Sequence, residues 1–81
     1  MAIEEVIDRA VQLKDSIVIQ YCTRSGKIFK CRISDIEYSS YYGGGYILAY
    51  REDIKADRTF KIGRILKVNG HAFRHVFWRQ I

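Results

Sequence analysis

Tyr46-Ile47-Leu48-Ala49-Tyr50-Arg51, followed by Arg58-Thr59-Phe60-Lys61-Ile62-Gly63-Arg64-Ile65, is the stretch that decides how this chain folds. Successive side chains of a strand point to opposite faces. The first segment therefore sets Tyr46, Leu48 and Tyr50 on one face and Ile47, Ala49 and Arg51 on the other. The second sets Arg58, Phe60 and Ile62 against Thr59, Lys61 and Gly63. Glu52 to Asp57 between them is polar and short enough for a hairpin loop. Two antiparallel strands thus gather aromatic rings and guanidinium groups, a combination suited to stacking and to anions.

Working outward, Ser16 to Cys22 is rich in β-branched residues and reads as the first strand, with a turn at Thr23-Arg24-Ser25-Gly26. Lys27 to Tyr38 alternates as a long strand, with Phe29, Cys31 and Ile33 inward and a bend at Ser34-Asp35. Ser39 to Gly45 is a glycine-rich loop carrying Tyr41 and Tyr42. It lacks the Gly-Lys-Ser/Thr opening of a helix that a phosphate-binding loop needs. Arg64 to Val68 forms a last short strand that closes the sheet on itself. At the front, Ile3, Val6, Ile7, Ala10 and Val11 recur at helical spacing, which predicts a helix over 2–14 packed on one end of the sheet. Asn69-Gly70 breaks the chain, and Phe73, Val76, Phe77 and Ile81 share a face of a short helical tail over 70–81.

The chain has 81 residues, enough for one domain with a thin core. No long apolar run or signal-peptide pattern appears, so the expectation is a soluble cytoplasmic protein that does not enter a membrane. Charge is uneven. Residues 1–15 hold two basic and four acidic side chains, a net of −2, whereas residues 16–81 hold 12 basic and 5 acidic ones, a net of +7. A basic body interleaved with aromatics favours a polyanionic partner over a merely solvated surface. Cys22 and Cys31 are too few for a disulfide scaffold and read as free thiols.

The ordered series Tyr46-Ile47-Leu48 and Arg58-Thr59-Phe60 through Arg64-Ile65 resembles the signature of the WYL domain family. Ile17 to Tyr21, Ser25-Gly26 and Lys30 to Ile33 resemble its earlier strands, so the likeness covers roughly residues 3 to 68. It implies an Sm-like, five-stranded small β-barrel (here over 16–68) with the N-terminal helix and helical tail around it. The family commonly carries a proline near Ser34 and an acid where Gly63 stands; this chain has neither. Members bind nucleic acid or regulate proteins that do, and the family's characteristic arginines fall at Arg32, Arg58 and Arg64.

Metal and catalytic chemistry find little support. His71 and His75 are spaced i, i+4, yet no acid stands beside them and the cysteines lie on strands. No nucleophile has a base and an orienting third group. We therefore expect no metal, no cofactor and no enzymatic role. The candidate binding residues are Arg32, Arg58, Arg64, Tyr21, Tyr46, Tyr50, Arg51 and Tyr42, on neighbouring strands and the glycine loop. Guanidinium forks hold phosphates and rings accept unstacked bases. Phe60 and Leu48 are instead expected in the core. The expected function is a nucleic-acid-binding regulatory or sensor module for single-stranded DNA or RNA, or a related anionic ligand. It would serve a larger machine such as a helicase or a regulator. The alternative is a protein-interaction module that dimerises or docks on an attached domain through the tail and leading helix, with no nucleic acid.

Overall fold

Ile3, Ile7 and Ala10 are buried on one side of a helix, α1 (Ile3–Leu13), whose other side carries Glu5, Asp8, Arg9 and Gln12. The computed structural model describes residues 3–40 and 44–72, and α1 lies at its front, packed on strands β2 and β5 of a single sheet. Glu4 and Glu5 in the first turn suit the positive end of the helix dipole. The helix ends at Leu13 because Lys14 adopts φ 57°, a left-handed turn that lets the Asp15 N–H reach the Ala10 carbonyl at 3.0 Å. Lys14 thus serves as the cap.

The strands are β1 (Ile17–Cys22), β2 (Ile28–Ser39), β3 (Tyr46–Arg51), β4 (Ala56–Lys61), β5 (Ile65–Val68) and the two-residue β6 (His71–Ala72). All pair antiparallel in the order β4-β3-β2-β1-β5-β6. The helix-plus-sheet composition agrees with the sequence reading. Among the described residues the sheet is not closed into the expected barrel: β4 and β6 lie at opposite ends of the order and no ladder joins them. β1 pairs with β2 up to Ile33, where β3 begins to pair on the other edge, and the β2–β3 ladder is itself interrupted by an irregularity between Ser34 and Glu37 where Asp35 has φ 49°. The bend expected at Ser34-Asp35 is therefore present. The fourth strand, expected over 58–65, begins earlier and stops at Lys61. Ile62–Arg64 then wind into a 3₁₀ turn that carries the chain across to β5. Where a helical tail was expected, His71 and Ala72 continue the sheet against Val68 and Lys67. Residues 73–81, with Phe73, Phe77 and Trp78, lie outside the described residues, as do Tyr41 and Tyr42.

One face of the sheet builds the core. Ile17, Ile19, Cys31, Ile33, Ile47, Ala49, Phe60, Ile65 and Val68 join Ile3, Ile7 and Ala10 beneath the helix. Register explains the choice: Ile33 stands opposite Ile17, Ile19 opposite Cys31 and Ile47 opposite Phe60, so apolar side chains meet across strands on this face. On β3 the core face is Ile47 and Ala49, while Leu48 is only half-buried on the outer face beside Tyr46 and Tyr50, which corrects the expectation that it belongs to the core. Phe60 is buried as expected. Cys22 pairs with Ile28 and Cys31 with Ile19, positions of opposite strand parity, so the thiols are on opposite faces and both are free. Burial pushes the Cys31 thiol pKa up.

The helix is tied to the sheet by a polar contact as well. The Tyr38 hydroxyl on β2 donates to Asp8 Oδ1 at 3.0 Å, and Gln12 Nε2 donates to Asp8 Oδ2 at 2.8 Å. Partial burial, then the Asp8 carboxylate, push the Tyr38 pKa from 10.0 up to about 12. A raised folded-state pKa means the contribution is complete below the unfolded value and is lost as pH climbs from 10.0 to about 12. In a spectrophotometric titration, the tyrosine lost in Tyr38→Phe is expected to be the late-ionising one, and Asp8→Ala should bring it back toward ordinary phenol behaviour. A Tyr38→Phe spectrum that loses an ordinary phenol transition instead would rule this out.

Candidate functional site

Tyr21 marks the point where the two halves of the sheet meet. Its ring lies edge-on to Phe60 at 5.1 Å and tilted against Phe29 at 5.7 Å between centroids. Its hydroxyl oxygen accepts the Lys61 backbone N–H at 2.9 Å, so the end of β1 caps the end of β4. Above this contact opens a groove of about 450 Å³ lined by Tyr21, Thr23, Arg24, Tyr46, Thr59, Lys61 and Arg64. Its walls come from three places. Tyr46 and Lys61 are direct cross-strand partners on β3 and β4. Arg64 comes from the 3₁₀ turn that follows. Arg24 comes from the β1–β2 turn, a rigid element: the Thr23 N–H reaches the Lys27 carbonyl at 2.8 Å, the Lys27 N–H reaches Thr23 Oγ1 at 3.0 Å, and Gly26 sits at φ 90°.

The chemistry of this lining is one-sided. It holds three cations and no carboxylate. Among the described residues no hydrogen bond or ion pair engages the side chains of Arg24, Lys61 or Arg64, and the Tyr21 hydroxyl, which accepts from Lys61, donates to no acceptor. Unpaired donors beside aromatic rings in an open concavity fit an acceptor-rich anion with a planar group attached.

Among the described residues, three of the candidates read from the sequence meet here: Tyr21, Tyr46 and Arg64. Four others do not join them. Arg32 faces outward on β2, where its Nη1 donates to Ser16 Oγ at 3.1 Å. Arg51 faces the opposite way, its guanidinium 4.1 Å over the Phe29 ring and gripped by Asp53 through Nε–Oδ1 at 2.7 Å and Nη2–Oδ2 at 2.9 Å. That grip holds the Asp53 carboxyl below its usual pKa. Arg58 folds back onto the Asp57 carbonyl at 2.8 Å. Tyr50 is half-buried on the outer face between Ser34 and Asp57. Tyr42 lies outside the described residues. The single shared patch expected from strand alternation is therefore divided, because the β2 irregularity and the register place Arg51 and Arg58 on the core side of the sheet and Arg32 on the outer side.

Arg24, Lys61, Thr23 and Thr59 were not among the expected site residues. Two belong to a turn read only for its glycine, and the other two to the face of β4 turned away from Phe60; the signal available was charge adjacent to Tyr21 and Tyr46. Among the described residues, no group of three or more His, Cys, Asp and Glu side chains could hold a metal ion, and no helix is long and apolar enough to cross a membrane. No protein-family model matches the chain, and no curated protein or solved structure matches it.

Proposed function

We propose that this chain is a WYL-like module with an Sm-like, incompletely closed sheet, and that it binds single-stranded nucleic acid through the groove beside Tyr21. The observation that carries the reading is the lining itself: Arg24, Lys61 and Arg64 with Tyr21 and Tyr46, and no carboxylate among them. Arginine forks and a lysine hold phosphate oxygens, and tyrosine faces accept unstacked bases. Single strands suit the site better than duplex. α1 exposes Glu5 and Asp8, charges that oppose entry into a DNA groove, and a sheet offers rings and not a groove-reading element. As an accessory domain of a helicase or regulator, such a module would report the presence of a strand to the machinery attached to it.

The test is a binding titration of fluorescent single-stranded DNA, single-stranded RNA and duplex across a salt series. Single strands are expected to bind more tightly than duplex of equal length. Log affinity should fall linearly with log salt, with a slope of roughly −0.7 for each phosphate held. Equal binding of duplex, or affinity independent of salt, would sink the reading.

A further inference from the structure

A second cationic feature lies on the outer face of β1, outside the groove. Gln20 on β1 stands directly opposite Lys30 on β2 and directly opposite Lys67 on β5. The three side chains form a row across the sheet, with the lysines about 10 Å apart at the backbone, two strand spacings. A shallow depression of about 70 Å³ opens there, lined by Val18, Ile19, Gln20, Lys30, Lys67 and Gly70. Both lysines are exposed, and among the described residues no carboxylate or other partner engages them. The outward residues of this half of the sheet are Val18, Gln20 and Cys22 on β1 and Ile28, Lys30 and Arg32 on β2, with Leu66 and Lys67 exposed on β5 and no acid among them.

The row crosses the β1–β2 hairpin, whose turn supplies Thr23 and Arg24 to the groove. From Gln20 to Cys22, where β1 ends, the strand advances roughly 7 Å, and Arg24 follows two residues later in the turn, so a strand longer than a dinucleotide is needed to reach both. Between them stand only Cys22, Ile28 and the Thr23–Lys27 turn, which contributes Lys27, another exposed cation. The row has no aromatic ring, so it offers charge without a stacking surface. The groove has both.

We infer that Lys30 and Lys67, flanking Gln20, form a second phosphate-contact site for the same strand. The nucleic acid anchored in the groove continues over the β1–β2 hairpin and lays its backbone across this row. The inference rests on the proposed reading of the groove and adds a footprint: the ligand is a polymer spanning several nucleotides, read for its backbone at this end irrespective of sequence. A mononucleotide or dinucleotide fills the groove alone.

The experiment measures fluorescence anisotropy of a labelled thymidine dinucleotide and a thymidine decanucleotide with the full chain, with Lys30→Ala/Lys67→Ala and with Arg24→Ala/Arg64→Ala, each checked for folding by circular dichroism. The lysine variant is expected to lose about tenfold in affinity for the decanucleotide, as two exposed ion pairs would give, and about 1.4 from its salt slope. Its dinucleotide binding should be unchanged, while the arginine variant weakens both ligands. If the lysine variant binds the decanucleotide like the parent while the arginine variant weakens both, the second contact is wrong and the groove stands. If the parent binds neither oligonucleotide, the groove reading falls and takes this one with it. A polyglutamate peptide that competes as well as the decanucleotide would also overturn the inference, since the row would then accept any polyanion.

Discussion

Ile33→Ala is expected to remove about 3–4 kcal/mol of stability, a large share of the total for a domain of this size. Ile33 has no exposed surface and lies between Ile17 on β1 and Arg51 on β3, at the point where β2 pairs with both neighbours. Truncation removes its transfer free energy and leaves a cavity that the neighbours fill incompletely, because Ile17, Ile47 and Ile19 are themselves fixed by cross-strand partners. Domains of this length have roughly 4–12 kcal/mol in all, so the variant would be close to unfolding at ordinary temperature. The control is on the same strand. Ile28 is 57% exposed on the outer face, and Ile28→Ala should cost under about 0.5 kcal/mol. Urea denaturation of the two variants checks both values. Equal losses would mean that the core does not lie on the face described.

That contrast also shows what sequence alone could and could not reveal. Alternation in Phe29-Lys30-Cys31-Arg32-Ile33 is local, and it identified the inward side of β2 directly. For β3 alternation separated Tyr46, Leu48 and Tyr50 from Ile47 and Ala49 correctly. It could not say which set is buried, since both contain large apolar side chains. Ile47 and Ala49 were chosen by what faces them: Phe60 stands opposite Ile47 on β4, and the helix covers the same side. The open sheet and the groove were hidden for a related reason. Tyr21 and Lys61 are forty residues apart in the chain, and the hydrogen bond between them belongs to no local pattern. Arg51 illustrates the converse. Its spacing marked it as a ligand-binding arginine, but Asp53, two residues on, satisfies its fork, and Phe29 lies beneath it. A guanidinium already held by a carboxylate and a ring is committed to the fold.

Removing the groove's charge should have the second large effect, on binding and not on folding. Arg24→Ala/Lys61→Ala/Arg64→Ala deletes the three cations of the lining. None of them is engaged by another described side chain, so their loss leaves no orphaned partner and the melting transition should stay close to the parent's. Each exposed contact to a phosphate contributes up to about 1 kcal/mol together with the counterion it releases, so single-strand affinity should fall roughly tenfold to a hundredfold at low salt. The salt dependence is the sharper readout. Three fewer phosphate contacts on a single strand reduce the slope by about 2, and the two proteins converge as salt rises. Arg51→Ala serves as the opposing case. It breaks the contacts with Asp53 and Phe29 and should lower stability while leaving the slope unchanged, because its guanidinium is outside the groove. Tyr46→Ala separates the remaining contribution: a stacking loss of about 1–3 kcal/mol with little change in slope, since a ring holds a base and carries no charge. If Arg51→Ala flattens the slope while the triple variant preserves it, the anion is bound on the core-side rim of the sheet near Phe29, and the groove is not the site.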